Sequence, residues 1–203
     1  MLGPLSIAKK INLHGIVRSH QFKMLLVSIS VGVIAGLFIA LVRLNLGMPG
    51  HKAFFWVTPL LITRLRNGCK IGTTAGGLFA ALTTCSLGAN LAGGFIGMPI
   101  IVLAGITLDW TVNFLEKNKI SGGVMILTLG LAGVMANLLC LSKRMILPTG
   151  LNPHLIFGVS GFWFKLFSYS FFGLISGIVA SISVWLIKHN NRTVKEVYNR
   201  FAR

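Results

Sequence analysis

Few side chains in this chain can do chemistry, and their spacing limits the kind. Asp109 is the one acid inside an apolar stretch and follows 38 residues, 71 to 108, that carry no charge. Paired carboxylates for acid–base work need two. An acid at that depth is a candidate for function, and the competing reading is a structural ion pair with Arg64 or Arg66. The five histidines, His14, His20, His51, His154 and His189, fall in loops or arms, which leaves none inside a helix to ligate a haem. Ser160, in Gly158-Val159-Ser160-Gly161, is followed only by His189, 28 residues on. Along one helix that is about 40 Å, too far for a nucleophile and its base. Cys69, Cys85 and Cys140 have neither paired spacing nor an even count, which argues against a disulfide framework or a metal cluster. No Gly-x-x-x-x-Gly-Lys-Ser/Thr loop is present to hold a nucleotide. What remains is a set of cations, amides and aromatics: Arg43, Asn45, His51, Lys52, Trp56, Asn90, Asn152 and His154. Gathered together, they make an apolar pocket with a few polar anchors, suited to the carboxylate or phosphate of a small solute. Kept apart, they are an interfacial belt of aromatics and snorkelling cations.

The elements that position these residues follow from composition. The chain is 54% hydrophobic and 11% charged, with a mean hydropathy of +0.81, whereas soluble domains carry roughly 25% charge. A charge at the bilayer centre costs at least ~2.5 kcal/mol, so avoidance of charge over such lengths describes a solute of lipid. The formal charge of +16 comes from 19 Lys and Arg against Asp109, Glu116 and Glu196. These cations lie between apolar runs, so the positive-inside rule and anionic headgroups account for them without nucleic acid.

A crossing helix needs about 20 apolar residues. Uncharged runs at 24–42, 71–108, 120–142 and 166–187 meet that need, and the second divides at its Gly-rich middle, 88–94, into two crossings. The stretch 53–63 is only 11 residues between Lys52 and Arg64. Charge parity decides for it. Lys9, Lys10, Arg18 and Lys23 mark one end of the chain, and Lys188, Arg192, Lys195, Arg200 and Arg203 mark the other. Two cytoplasmic ends require an even number of crossings. Six crossings also place Arg64, Arg66, Lys70, Lys117 and Lys119 inside, fourteen of the nineteen basic residues in all. The expected fold is therefore all-α: a polytopic integral membrane protein in one bundle, with spans near 24–42, 53–66, 71–88, 97–115, 120–142 and 162–187. A basic cytoplasmic arm, 1–23, precedes it and a basic cytoplasmic tail, 188–203, follows. With no small-residue cleavage site behind a short apolar core, the first helix reads as uncleaved. The tail suits either a short interfacial helix, on the spacing of Val194, Val197, Tyr198 and Phe201, or a frayed solvated end.

This topology puts Arg43, Asn45, His51, Lys52, Trp56, Asn90, Asn152 and His154 on the outer face. Small residues recur every four positions as Gly32, Gly36 and Ala40, as Gly72, Gly76 and Ala80, and as Gly173, Gly177 and Ser181. Such stripes allow close backbone approach in lipid, either within one bundle or against another membrane subunit.

Six helices in about 200 residues, both ends inside, a small-residue stripe on the first helix and an outer polar rim together resemble the substrate-binding membrane components, or S components, of energy-coupling factor (ECF) transporters of the ABC type. The run Lys70-Ile71-Gly72-Thr73-Thr74-Ala75-Gly76-Gly77-Leu78-Phe79-Ala80-Ala81 looks like the Gly-rich opening of that family's third helix. The resemblance implies a non-enzymatic, multi-pass subunit of the cell membrane. It captures a small solute, vitamin-like or anionic, from outside, and relies on a membrane coupling subunit and cytoplasmic ATPase subunits. Gly32, Gly36 and Ala40 would be the coupling surface, although Gly stands where the family usually has Ala at the first two. The outer loops would bind substrate. Metal-transporting members carry a His next to the initiating Met, and here Leu2-Gly3-Pro4 stands there, so no metal and no cofactor are implied. The alternative is a non-catalytic membrane scaffold or accessory subunit of a larger complex.

Overall fold

The computed structural model describes residues 4–42, 49–89, 91, 95–146 and 159–201, with only the backbone described at 4–19, 143–146, 159–160 and 188–201. Six α-helices run through it: α1 Pro4–Leu41, α2 Lys52–Asn67, α3 Gly72–Ser86, α4 Met98–Lys117, α5 Gly123–Ile146 and α6 Val159–Phe201. One 3-10 turn, Phe95–Gly97, leads into α4. The described residues include no strand. Four segments are long and apolar enough to cross a bilayer: His20–Leu41, Phe95–Lys117, Gly123–Ser142 and Gly161–Ile187. They mark a multi-pass membrane protein.

The other two helices are shorter. With 16 and 15 residues, α2 and α3 are about 24 and 22 Å long, less than the ~30 Å hydrocarbon core. The 11-residue stretch of doubtful length thus forms a helix. Its apolar positions explain where it goes. Ala53, Trp56, Val57, Leu60 and Leu61 are buried and recur at helical spacing, so α2 turns one face to the bundle and touches α1, α3, α4 and α6. Around it the packing order α1, α3, α4, α5, α6 closes back through α2 to α1.

Two glycine crossings hold this arrangement. At Gly32 an added Cβ would run into the backbone of Gly76, and at Gly36 it would lie 2.7 Å from the Ala80 carbonyl oxygen. The first stripe therefore lies against the second. On the other side, Gly133 and Gly173 meet backbone to backbone, and Gly177 abuts Leu129 and Gly130. The α1 face that was expected to meet a coupling subunit is, at Gly32 and Gly36, occupied by α3 of the same chain. Ala40 is half-buried. The helices that carry the basic ends continue without a break, α1 back to Pro4 and α6 on to Phe201.

Pairings along the helices give each one a direction. Gly32 and Gly36 meet Gly76 and Ala80 in parallel, Gly77 and Gly105 meet Ile101 and Thr74 antiparallel, and Thr58 lies level with Ser176. Arg64, Arg66, Lys70, Lys117 and Lys119 consequently share one end of the bundle, called here the basic end. At the opposite end the start of α2 is tied to α5 and α6. The buried Asn137 amide donates to the Tyr169 carbonyl at 2.7 Å and to the Gly50 carbonyl at 3.3 Å, and Ser168 Oγ donates to the Pro49 carbonyl. Gly50 has φ +85°, and a Cβ there would come within 2.9 Å of the Tyr169 ring. Replacing Asn137 by Leu leaves both carbonyls without this donor in a dry setting. The expected cost is about 1–3 kcal/mol, read as a lower melting temperature in detergent.

Candidate functional site

The described residues form two polar places, one at each end of the bundle. At the basic end, Arg64 sits on the core stripe of α2, one turn beyond Leu60 and Leu61, and its side chain is fully buried. Its guanidinium grips both Glu116 oxygens at 3.1 Å, with Nη1 on Oε1 and Nη2 on Oε2, and Nη2 also donates to Asn113 Oδ1 at 2.6 Å. The fork geometry matches a carboxylate in a way that lysine cannot. Arg64 Nε lies 3.6 Å from Asp109 Oδ1. Of the two partners offered for Asp109 by the sequence, Arg64 and Arg66, the structure selects Arg64. Arg66 is exposed.

Asp109 has a second task. Its Oδ1 accepts the Thr73 N–H at 3.0 Å, and its Oδ2 accepts the Thr74 N–H at 2.8 Å and the Thr74 hydroxyl at 2.7 Å. These N–H groups are among the four at the start of α3 that have no intrahelical partner. Asp109 therefore caps α3 from α4, a role normally filled by the helix's own preceding residue; that residue is Ile71, which makes no such bond. Gly105 allows the approach, since a Cβ there would come within 2.6 Å of Thr74 Cα. Two carboxylates and one guanidinium leave one negative charge, which faces the positive end of the α3 dipole. Asp109 thus holds α2, α3 and α4 in register. With donors on both oxygens and the Arg64 guanidinium beside it, its contacts are those of a structural acid.

At the opposite end, His51 takes the N-cap position of α2, half-buried, its ring 6.3 Å from that of Phe172 and edge-on. Lys52 follows, also half-buried. Trp56, expected on the rim, is 1% exposed and lies one turn deeper, with Gly77 opposite its indole. Its place is the core, because 53, 56, 57 and 60 share one helical face. Arg43, Asn45, Asn90, Asn152 and His154 lie outside the described residues. Of the eight expected binding residues the structure therefore brings His51 and Lys52 together, and places Trp56 below them. Relative to these, α5 continues nine residues past Asn137 to Ile146, and α6 begins ten residues before Tyr169. The start of α2 is accordingly about 13–15 Å below the ends of α5 and α6.

Asn113, Glu116, Thr73, Thr74 and Asn137 were absent from the sequence-level site. A usable signal existed for Glu116: only three acids occur in the chain, and a buried arginine needs one. Among the described residues no three His, Cys, Asp or Glu side chains group to hold a metal ion. Comparison of the chain with protein-family models, with curated proteins and with solved structures finds no match.

Proposed function

We propose that this chain is the substrate-capturing membrane subunit of an ATP-driven uptake transporter, of the S-component kind, with six crossings and both termini on the cytoplasmic side of the cell membrane. The observation that carries the reading is the position of His51 and Lys52 at the start of α2, some 13–15 Å beneath the ends of α5 and α6. α5 and α6 thus rise beside the polar start of α2, and a small-solute site between helices of a bundle would lie there. Lys52 and the positive end of α2 suit an anionic group on the solute. The up-and-down order of the helices supports an even number of crossings, and the cations of the basic end suit the cytoplasm.

Lacking a nucleotide loop, such a subunit depends on a coupling subunit and ATPases. With Gly32 and Gly36 occupied by α3, coupling would use the exposed face of α1 that carries Leu26, Ser30 and Ile34. The scaffold alternative rested on small-residue stripes that would bind other helices, and at Gly32, Gly36, Gly173 and Gly177 these are engaged inside the bundle.

Two measurements test the proposal. Purified in mild detergent from its own cells, the protein should bring down a membrane subunit and an ATPase. A panel of vitamin-class and carboxylate solutes should contain one that raises the melting temperature, and His51→Ala with Lys52→Gln should weaken that solute about tenfold or more, the loss of a charged hydrogen bond. Absence of both an ATPase and a stabilising solute sinks the reading.

A further inference from the structure

We propose that the α3–α4 face at the basic end binds one anionic phospholipid, with Lys70 and Lys117 on its phosphate and Trp110, Phe114 and Ile71 against its acyl chain. The inference does not depend on a transport function.

It begins with a charge imbalance. The described side chains at the basic end include Lys23, Arg64, Arg66, Lys70, Lys117 and Lys119, and the acids among them are Asp109 and Glu116. Both acids are committed to Arg64, and the other five cations are all exposed. Their counter-charge has to come from outside these residues.

The second observation is the helical face that two of them share. Positions 110, 113, 114 and 117 fall on one side of α4. Asn113 Nδ2 reaches the Lys70 carbonyl at 3.5 Å, which brings the α2–α3 turn onto that side. Immediately along the same face, Trp110 and Phe114 stack at 6.1 Å between centroids and stand exposed, the indole at 70%. Ile71, beside Lys70, is 58% exposed. Cations therefore lie at the head of a large bare apolar strip.

That order selects the occupant. The apolar segment of α4 closes at Lys117, so the lysines stand where hydrocarbon gives way to headgroups, and the aromatics stand on the hydrocarbon side. An acidic soluble partner would satisfy the lysines and leave Trp110 and Phe114 uncovered. A phospholipid satisfies both, and anionic headgroups attract basic residues near the surface.

The full-length protein in mild detergent, mixed with equal phosphatidylglycerol and phosphatidylcholine, tests this by native mass spectrometry. One phosphatidylglycerol should be retained in preference to phosphatidylcholine. Lys70→Gln and Lys117→Gln should each weaken retention about fivefold, and the pair about 25-fold. Trp110→Ala, which alters no charge, should also weaken it, whereas Lys119→Gln should not. Lys70→Arg with Lys117→Arg, which preserves charge, should keep the lipid and serves as the control should a glutamine variant fold poorly. Equal retention of the two lipids overturns the proposal. So does a Lys70→Gln/Lys117→Gln protein that retains lipid unchanged, or saturation of the site by inorganic phosphate or an acidic peptide without preference for the lipid.

Discussion

Replacing Arg64 by methionine is expected to destabilise the protein by about 3–5 kcal/mol, because it leaves Asp109 buried without its cation. Methionine fills a similar volume, so the loss is electrostatic and not a cavity. Glu116, half-exposed at 49%, can turn to water once released. Asp109, at 4% exposure, cannot follow. A thermal or denaturant unfolding series in detergent reads the effect directly. Removing the acid as well, in Arg64→Met with Asp109→Asn, should recover part of the loss, since the neutral amide oxygen still accepts from Thr74 while its NH2 group leaves the Thr73 N–H without an acceptor. Arg64→Lys should stay well below wild type, because an ammonium cannot span both Glu116 oxygens and Asn113 as the fork does. An Arg64→Met protein within about 1 kcal/mol of wild type would mean that the pair is screened and holds nothing together.

Gly32→Leu with Gly36→Leu is expected to prevent α1 from packing on α3, with a loss above the ~1–3 kcal/mol typical of overpacking. The nearest neighbours are the backbone of Gly76 at Gly32, and the Ala80 backbone with Thr83 Cβ at Gly36, none of which can swing aside as a side chain tip can. Even Gly32→Ala places a methyl into the Gly76 carbonyl, so the single variant should lose about 1–3 kcal/mol. If these glycines only touched a separate subunit, the isolated protein would keep its melting temperature and lose only complex formation. The structure predicts the opposite: the isolated protein itself loses melting temperature.

Much of the architecture was legible in advance. Three expected spans lie within a few residues of helices, 97–115 against Met98–Lys117, 71–88 against Gly72–Ser86 and 53–66 against Lys52–Asn67, whereas α1 begins at Pro4 and α6 runs on to Phe201, well beyond 24–42 and 162–187. Helical spacing carries still more than was drawn from it. The stripe Ala53, Trp56, Val57, Leu60, Leu61 continues onto Arg64, so the burial of Trp56 and of Arg64 could both be read from the period of α2. Trp56 belongs to the core and not to the rim, because successive helical residues point different ways.

What the sequence determines by itself is the solvent and the elements. The hydrocarbon core excludes unpaired charge and unpaired backbone, so long uncharged runs mark the membrane stretches without knowledge of the fold. Which helix meets which is a different kind of information. Gly32 looks the same in sequence whether it faces α3 or another subunit, and Asp109 looks the same beside Arg64 or Arg66. Tertiary packing chose among these because contacts between helices distant in sequence depend on where six faces converge at once. In that convergence Asp109 became the cap of a helix 36 residues before it, a pairing that no local pattern records.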